Sequence, residues 1–479
     1  MVFEMFQEDR NRRDKIKVIL TNIFMAISVV AILAITLMLT LGYTITKDLD
    51  LTQTGLVRIG SNPSNATVTI DDDGNQLKTT AKSNLLPGVH TVMVHKSGYT
   101  SWKKQITVNS GGVLWLDYIQ LFPLQNKVTE SLKVDSSDNY AFSPNAKRFI
   151  AVSNTERGAI SISDITGSTA KTKQASFVNI LTPFDGEARL EIAKWSEDSS
   201  KVLIKHYFGG QFEWLLLDLE RIEKSVNLTD YFQEIFDDVF FGAENGEIIF
   251  AAKSDVLNKL DVSNSVNVQI DSNVVRYVSY GDKLAYITIT RDLEDKEITT
   301  LWTYRSRDTR PTRLREVHSS SKIAISSYRS DDYLAVFDKD ALYVFQGQFQ
   351  SDDNGLSGLS LLKTIAVSYD VADLSAKHRF FTLQSQNDFL SYDIETENIK
   401  MFNLGDGETK PIFWLNNYLF GTNTGQLVVY DFDGDNKQEL LTAKAGTPAV
   451  ITSDHKYFYF IDDEADGKLV LKQLNLITK

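Results

Sequence analysis

The chain has 479 residues, no cysteine and a formal net charge of −13, with 42% hydrophobic and 11% aromatic residues. The missing cysteines exclude disulfides, thiolate catalysis and cysteine-ligated metals, and the acidic balance argues against general nucleic-acid binding. Only 8 prolines occur, and short alternating runs of Val, Ile, Thr, Tyr and Phe describe a mainly β chain, too long for one ordinary domain.

Residues 1–17 form a short tail carrying Arg10, Arg12, Arg13, Lys15 and Lys17. Val18 to Leu41 follow as 24 consecutive uncharged positions, with Asn22 their only strongly polar member. About 20 apolar residues cross a ~30 Å hydrocarbon core as a helix, so 18–43 reads as a transmembrane segment. Five basic residues precede it, and Lys47 alone stands in the fifteen positions after it. Basic flanks stay cytoplasmic, which places the tail inside and nearly all the remaining chain outside. The apolar core is too long for a removable secretory signal, and Leu41-Gly42-Tyr43-Thr44-Ile45 offers no small-residue cleavage site. The expectation is an uncleaved, single-pass signal anchor in the plasma membrane.

After a spacer at 44–54, residues 55–123 read as a compact antiparallel β domain. Leu56–Ile59, Ala66–Ile70, Val89–His95, Trp102–Val108 and Val113–Leu121 are the expected strands. Asn62-Pro63-Ser64-Asn65 and Asp71–Gly74 are turns, and Leu86-Pro87-Gly88-Val89 has the proline and glycine of a type II turn. The order Gly55-Leu56-Val57-x-Ile59-x-Ser61-x-Pro63-x-x-Ala66-x-Val68-x-Ile70-Asp71, then Leu86-Pro87-Gly88-x-His90, then Gly98-Tyr99, resembles the PEGA domain. Pro63-Ser64-Asn65-Ala66 replaces the middle of that family's Pro-Glu-Gly-Ala turn. The resemblance implies a small β-sandwich of the kind found in bacterial envelope proteins, and it brings no catalytic residue.

Residues 124–138 read as a linker, and 139–479 repeat an apolar anchor, a polar turn and two apolar strands. Phe142-Ser143-Pro144-Asn145 and Trp195-Ser196-Glu197-Asp198 open the two clearest copies. Later anchors fall at Phe241, Val278, Ile325, Leu374, Trp414 and Ile451. Their mean spacing is about 44 residues, the length of a four-stranded propeller blade. The pattern resembles the WD40-like repeats of TolB-type propellers and lacks the Gly-His and Trp-Asp pairs of true WD40 repeats. The period allots eight blades; the fourth, fifth and seventh copies are degenerate, which leaves seven as the alternative.

Candidate sites are few. Asp431, Asp433 and Asp435 alternate as calcium ligands do, but no Glu follows at the required distance, and Asp-Gly is also a hairpin signal. Arg305, Arg307, Arg310, Arg313 and Arg315 form a basic cluster, suited to an anionic polymer or acidic partner or else a solvated loop between blades four and five, broken by Pro311. His90, His95, His206, His318, His378 and His455 make no close metal-ligand pair, and there is no nucleophile elbow or phosphate-binding loop. The sequence therefore points to a membrane-anchored, non-enzymatic scaffold of the bacterial envelope, without cofactor. Its propeller would present a surface to an envelope protein or wall polymer. An extracytoplasmic hydrolase with a funnel site and a carbohydrate-binding module are the alternatives.

Overall fold

A computed structural model describes residues 2–45, 50–72, 74–135, 138–351, 357–368, 370–377, 379–386, 388–403, 408–415, 418–423, 425–444, 446–463 and 468–477; the side chains of 2–16, 351, 408–415 and 422–423 are outside that description. The chain divides into two units, Met1–Leu124 and Gln125–Lys479.

The first unit begins with a helix, Val2–Thr40. Its stretch Lys17–Thr40 is 24 residues long and has none of its surface buried, about 36 Å at 1.5 Å per residue. The polar hydroxyls within it turn inward on the backbone. Thr21, Ser28, Thr36 and Thr40 each donate to the carbonyl four residues earlier, at 2.7–2.9 Å, as a segment denied water requires. The helix ends at Gly42, φ +78°, where Gln53 and Thr54 side chains donate to the carbonyls of Leu41 and Gly42. The described ends of the expected spacer pair beside this cap, Tyr43–Ile45 with Leu51–Gln53.

Residues 55–120 form two sheets, one of four strands and one of three. The alternating strand Trp102–Val108 buries every second side chain, as its period-2 pattern requires. Two features depart from the sequence reading. Gly55–Asn62 runs parallel to Val113–Gln120, so the domain is not wholly antiparallel. Leu86-Pro87 leads not around a hairpin but from Ala81–Leu85 in one sheet to Gly88–His95 in the other. The motif residues earn their places there. Asp71 accepts from Thr91 N at 2.8 Å and pairs with His90 Nδ1 at 2.5 Å, while His90 Nε2 donates to Leu86 O at 2.7 Å. Burial opposes charge on His90, but its bonds to Asp71 and Leu86 outweigh this and raise its pKa.

In the second unit the described residues form eight four-stranded antiparallel sheets. All eight sequence anchors fall on the first strands: Asn139–Phe142, Ala188–Trp195, Asp238–Phe241, Val274–Tyr280, Lys322–Tyr328, Asp373–Lys377, Glu408–Leu415 and Ala449–Ile451. First strands lie beside one another from the first sheet to the sixth, and again in the seventh and eighth, so they line a common axis. Each sheet shares an apolar cluster with the next, from Ile150 with Leu190 through to Phe389 with Leu419. Phe420 meets Phe458 across the seventh interface. A last cluster joins Phe149 and Ile165 of the first sheet to Tyr459, Leu471 and Val134 of the eighth. The ring is thus closed, burying faces that single sheets would expose.

Closure overturns the linker at 124–138. Val128–Val134 is the fourth strand of the eighth sheet, paired with the C-terminal strand Leu469–Asn475. The chain's two ends of this unit are stitched into one blade.

The repeat signature has a local cause. Ser196 is fully buried; its hydroxyl donates to Asp198 at 2.7 Å and accepts from Lys201 N at 2.8 Å. Asp198 in turn accepts from Ser200 N at 2.9 Å, and Ser199 takes φ +61°. The same turn recurs with Ser143, Asn145 and Ala146 and with Thr452, Asp454 and His455. Ser196→Ala strands a backbone donor and is expected to cost about 1–2 kcal/mol; thermal denaturation of the full chain measures it, and an unchanged midpoint contradicts this role for the hydroxyl.

Candidate binding site

Asp431, Asp433 and Asp435, read as calcium ligands or as a hairpin turn, lie at the end of a third strand and in the turn after it. Asp164, Asp218, Asp261, Asp393 and Asp431 each end the third strand of their sheet. The first four accept backbone N–H groups of the following turn at 2.8–3.1 Å. Asp431 instead accepts from a side-chain amide of its turn, Asn436 Nδ2 at 2.9 Å, while Gly434 takes φ +80°. Asp435 pairs with Lys400 at 3.4 Å, and Asp433 is buried in the same turn. Among the described residues no group of three or more acidic or histidine side chains is placed to hold a metal ion.

The arginine cluster does not converge either. Arg305 pairs with Asp282 at 3.0 Å, and Arg307 reaches Gln350 at 3.4 Å. Arg313 pairs with Glu316 at 2.7 Å, Arg315 lies over the Tyr343 ring at 4.4 Å, and Arg310 is exposed in the turn. The loop reading is corrected: Thr312–Glu316 is the fourth strand of the fourth sheet, and Pro311 sits just before an edge strand, where a missing donor is tolerated. Arg10, Arg12, Arg13 and Lys15 lie on the first helix, but their side chains, like His378, fall outside the described residues. Near the axis, Lys194 and Asp238 pair at 3.2 Å and Tyr277 donates to Asp238 at 3.1 Å, tying the first strands of sheets two, three and four together.

A more specific arrangement lies between the first and second sheets. Lys201–Phe208 and Gln211–Asp218 form a hairpin closed by Gly209-Gly210, which sets His206 directly opposite Glu213. Both are buried, at 1% and 3% side-chain exposure, with His206 Nδ1 2.8 Å from Glu213 Oε1. Glu213 also accepts from Thr182 N at 3.0 Å, Thr182 Oγ1 at 2.5 Å and Asn227 Nδ2 at 2.7 Å. Burial by itself raises the Glu213 pKa, but the bonds from His206, Thr182 and Asn227 outweigh it and bring it down to about 2. The carboxylate is ionised, so His206 Nδ1–H donates and Nε2 is the ring's remaining polar atom. Nε2 is buried and has no hydrogen-bond partner.

His206 lines a cleft of about 390 Å³, within the ~300–1,000 Å³ range of small-molecule sites. Ser153, Thr155 and Arg157 enter from the first sheet's second hairpin, and Phe184 and Glu187 from the connection to the second sheet. Arg157 donates to the carbonyls of Thr182 and Phe184, fixing that connection. Gly158, φ +72°, lets it pass closely, since a Cβ there would stand 2.7 Å from the Val178 backbone. Phe184 rests against Phe208 at 5.9 Å and over Gly209.

The sequence reading named His206 but not its partner. A two-residue Gly-Gly hairpin pairs residues equidistant from it, so His206 opposite Glu213 was legible; Thr182 and Asn227, which arrive from other segments, were not.

Residues 54–121 match the PEGA domain family. The chain therefore combines a PEGA domain with a β-propeller behind one N-terminal apolar helix. A search of curated proteins finds no match. Among solved structures, the chain is similar to Porphyromonas gingivalis dipeptidyl peptidase 4, at 10% identity and TM-score 0.48, covering 71% of this chain and 58% of that one. It is similar to the Dos1 propeller at 10% identity and TM-score 0.44, covering 74% and 96%. Saccharomyces cerevisiae Sqt1 follows at 13% identity and TM-score 0.39, covering 74% and 100%. The chain spans little more than half of the peptidase, and the propeller assignment rests on the sheets' own pairing and ring closure.

Proposed function

We propose that this protein is an anchored, extracytoplasmic binding protein of the cell envelope, without catalytic activity, whose propeller presents its loops to a wall polymer or envelope partner. The observation that carries the proposal is the 24-residue apolar segment, none of it buried among the described residues, with basic residues before it and Lys47 alone in the fifteen positions that follow. Confinement beside a bilayer raises the effective concentration of the propeller for any neighbour held in the same layer. A hydrolytic role needs a nucleophile beside a base; His206 Nε2 has no hydroxyl bonded to it, which sets binding ahead of hydrolysis.

The absence of cysteine makes a direct test simple. Ser168→Cys, in an exposed turn of the first sheet, is expected to react with a membrane-impermeant maleimide in intact cells, and Asn11→Cys only after disruption. The reversed pattern refutes the orientation. Crosslinking in intact membranes, followed by purification of the full chain, then reads the binding role; recovery of the chain alone under all conditions counts against it.

A further inference from the structure

We infer that the PEGA domain docks its helix-proximal end on the outer face of the bilayer, through an apolar rim of Ile45, Leu51, Leu86, Val89 and Val113. The inference rests on the anchor proposed above and adds a second contact with the same membrane.

Hydrogen bonds tie the end of the helix to this domain. Gln53 and Thr54 side chains cap the carbonyls of Leu41 and Gly42, and Thr54 N donates to Gly42 O at 2.8 Å. The carbonyls of Gln53 and Thr54 in turn accept from Ser110 Oγ at 3.2 Å and Gly111 N at 3.1 Å. The turn at 109–112 is therefore fixed against the point where the apolar helix ends. Gly55 pairs with Leu85, and Gly88 pairs with Val108, which brings the Leu86–Val89 corner to the same end. His90 Nε2 holds that corner by donating to Leu86 O at 2.7 Å.

Among the described residues of this unit after Gly42, six large apolar side chains are exposed. Leu124 is at the far end, where its N–H donates to Gly98 O; the other five make up the rim. Ile45 and Leu51 are direct cross-strand partners, two residues from the Tyr43–Gln53 pair beside the cap, an advance of about 7 Å. Leu86 and Val89 each stand one residue from a pair at the capped end, and Val113 pairs with Leu56 there. The headgroup layer outside the hydrocarbon is about 5–8 Å deep, so side chains this close to the end of the helix fall within it. Singly scattered apolar residues need no explanation; five gathered where the anchor leaves the membrane match an interfacial contact. Asp50 and Asp71 border the rim, so burial of apolar surface drives the contact and attraction to anionic headgroups does not.

The test uses the full chain, which has no cysteine of its own, in phosphatidylcholine nanodiscs, with an environment-sensitive fluorophore on Val89→Cys, Ser64→Cys or Leu39→Cys. Lipids carrying a nitroxide high on the acyl chain are expected to quench the label of Val89→Cys about twofold or more above that of Ser64→Cys, which lies in the exposed turn after the far end of Gly55–Asn62. Adding Leu86→Ser and Val113→Ser to Val89→Cys is expected to remove most of that difference with the melting transition kept, because both side chains are exposed. Salt at about 1 M, where the Debye length is about 3 Å, is expected to leave the difference intact. Equal quenching at Val89→Cys and Ser64→Cys, a difference untouched by Leu86→Ser with Val113→Ser, or its loss in salt overturns the inference. Quenching at Leu39→Cys in that case leaves the anchor standing, whereas its absence removes the anchor as well.

Discussion

Replacing Val128–Val134 in the full chain by a glycine–serine heptad is expected to be the most damaging local change this protein can suffer. The strand pairs along Leu469–Asn475, and its Val134, 3% exposed, packs with Phe149, Ile165, Tyr459 and Leu471. Without it the eighth sheet has three strands and an open edge at the point where the ring closes. Several ladder hydrogen bonds at about 1 kcal/mol each, and the burial of one valine at about 1.5 kcal/mol or more, sum to a loss on the order of 5 kcal/mol. That is a large fraction of an ordinary domain's stability and corresponds to a fall of roughly 10 °C or more in melting temperature. Circular dichroism melts with limited proteolysis will show it. A midpoint within about 2 °C of the parent means the ring does not depend on this closure.

The second large effect belongs to Glu213. Its carboxyl is held near pKa 2 against a reference of 4.5, and it is 3% exposed. A depressed folded pKa contributes stability that is complete above pH 4.5 and is lost as pH falls from there towards 2. The shift is worth about 3 kcal/mol. Glu213→Ala leaves His206 Nδ1, both Thr182 donors and Asn227 Nδ2 without their acceptor, a loss of about 3–5 kcal/mol at neutral pH. Thermal melts from pH 7 down to pH 3 should show the gap between parent and variant narrowing with acid. A gap independent of pH contradicts an ionised Glu213 as the centre of the network.

The two effects differ in how far the residues announce them. Glu213 faces His206 through a hairpin of two glycines, a signal readable over eight residues. Val128–Val134 is unremarkable in sequence, mostly exposed, and its partner lies more than 330 residues away; nothing local distinguishes it from a linker. The same holds for the short strands Leu77–Lys78 and Ala81–Leu85, whose polar content hides the alternation that identified Trp102–Val108. Asp431, which the sequence offered as a ligand or a turn residue, ends a third strand as Asp164, Asp218, Asp261 and Asp393 do.

The chain's linear pattern was enough for the apolar helix, the PEGA domain, the repeat and the eight anchor strands. Helical length, period-2 alternation and turn chemistry are properties of neighbouring residues. Tertiary structure alone decided the strand that closes the ring, the parallel pairing of Gly55–Asn62 with Val113–Gln120, and the meeting of Thr182 and Asn227 on Glu213. Those contacts join segments whose approach is driven by non-directional burial of apolar faces, and the polar groups they bring together leave no periodic trace along the chain.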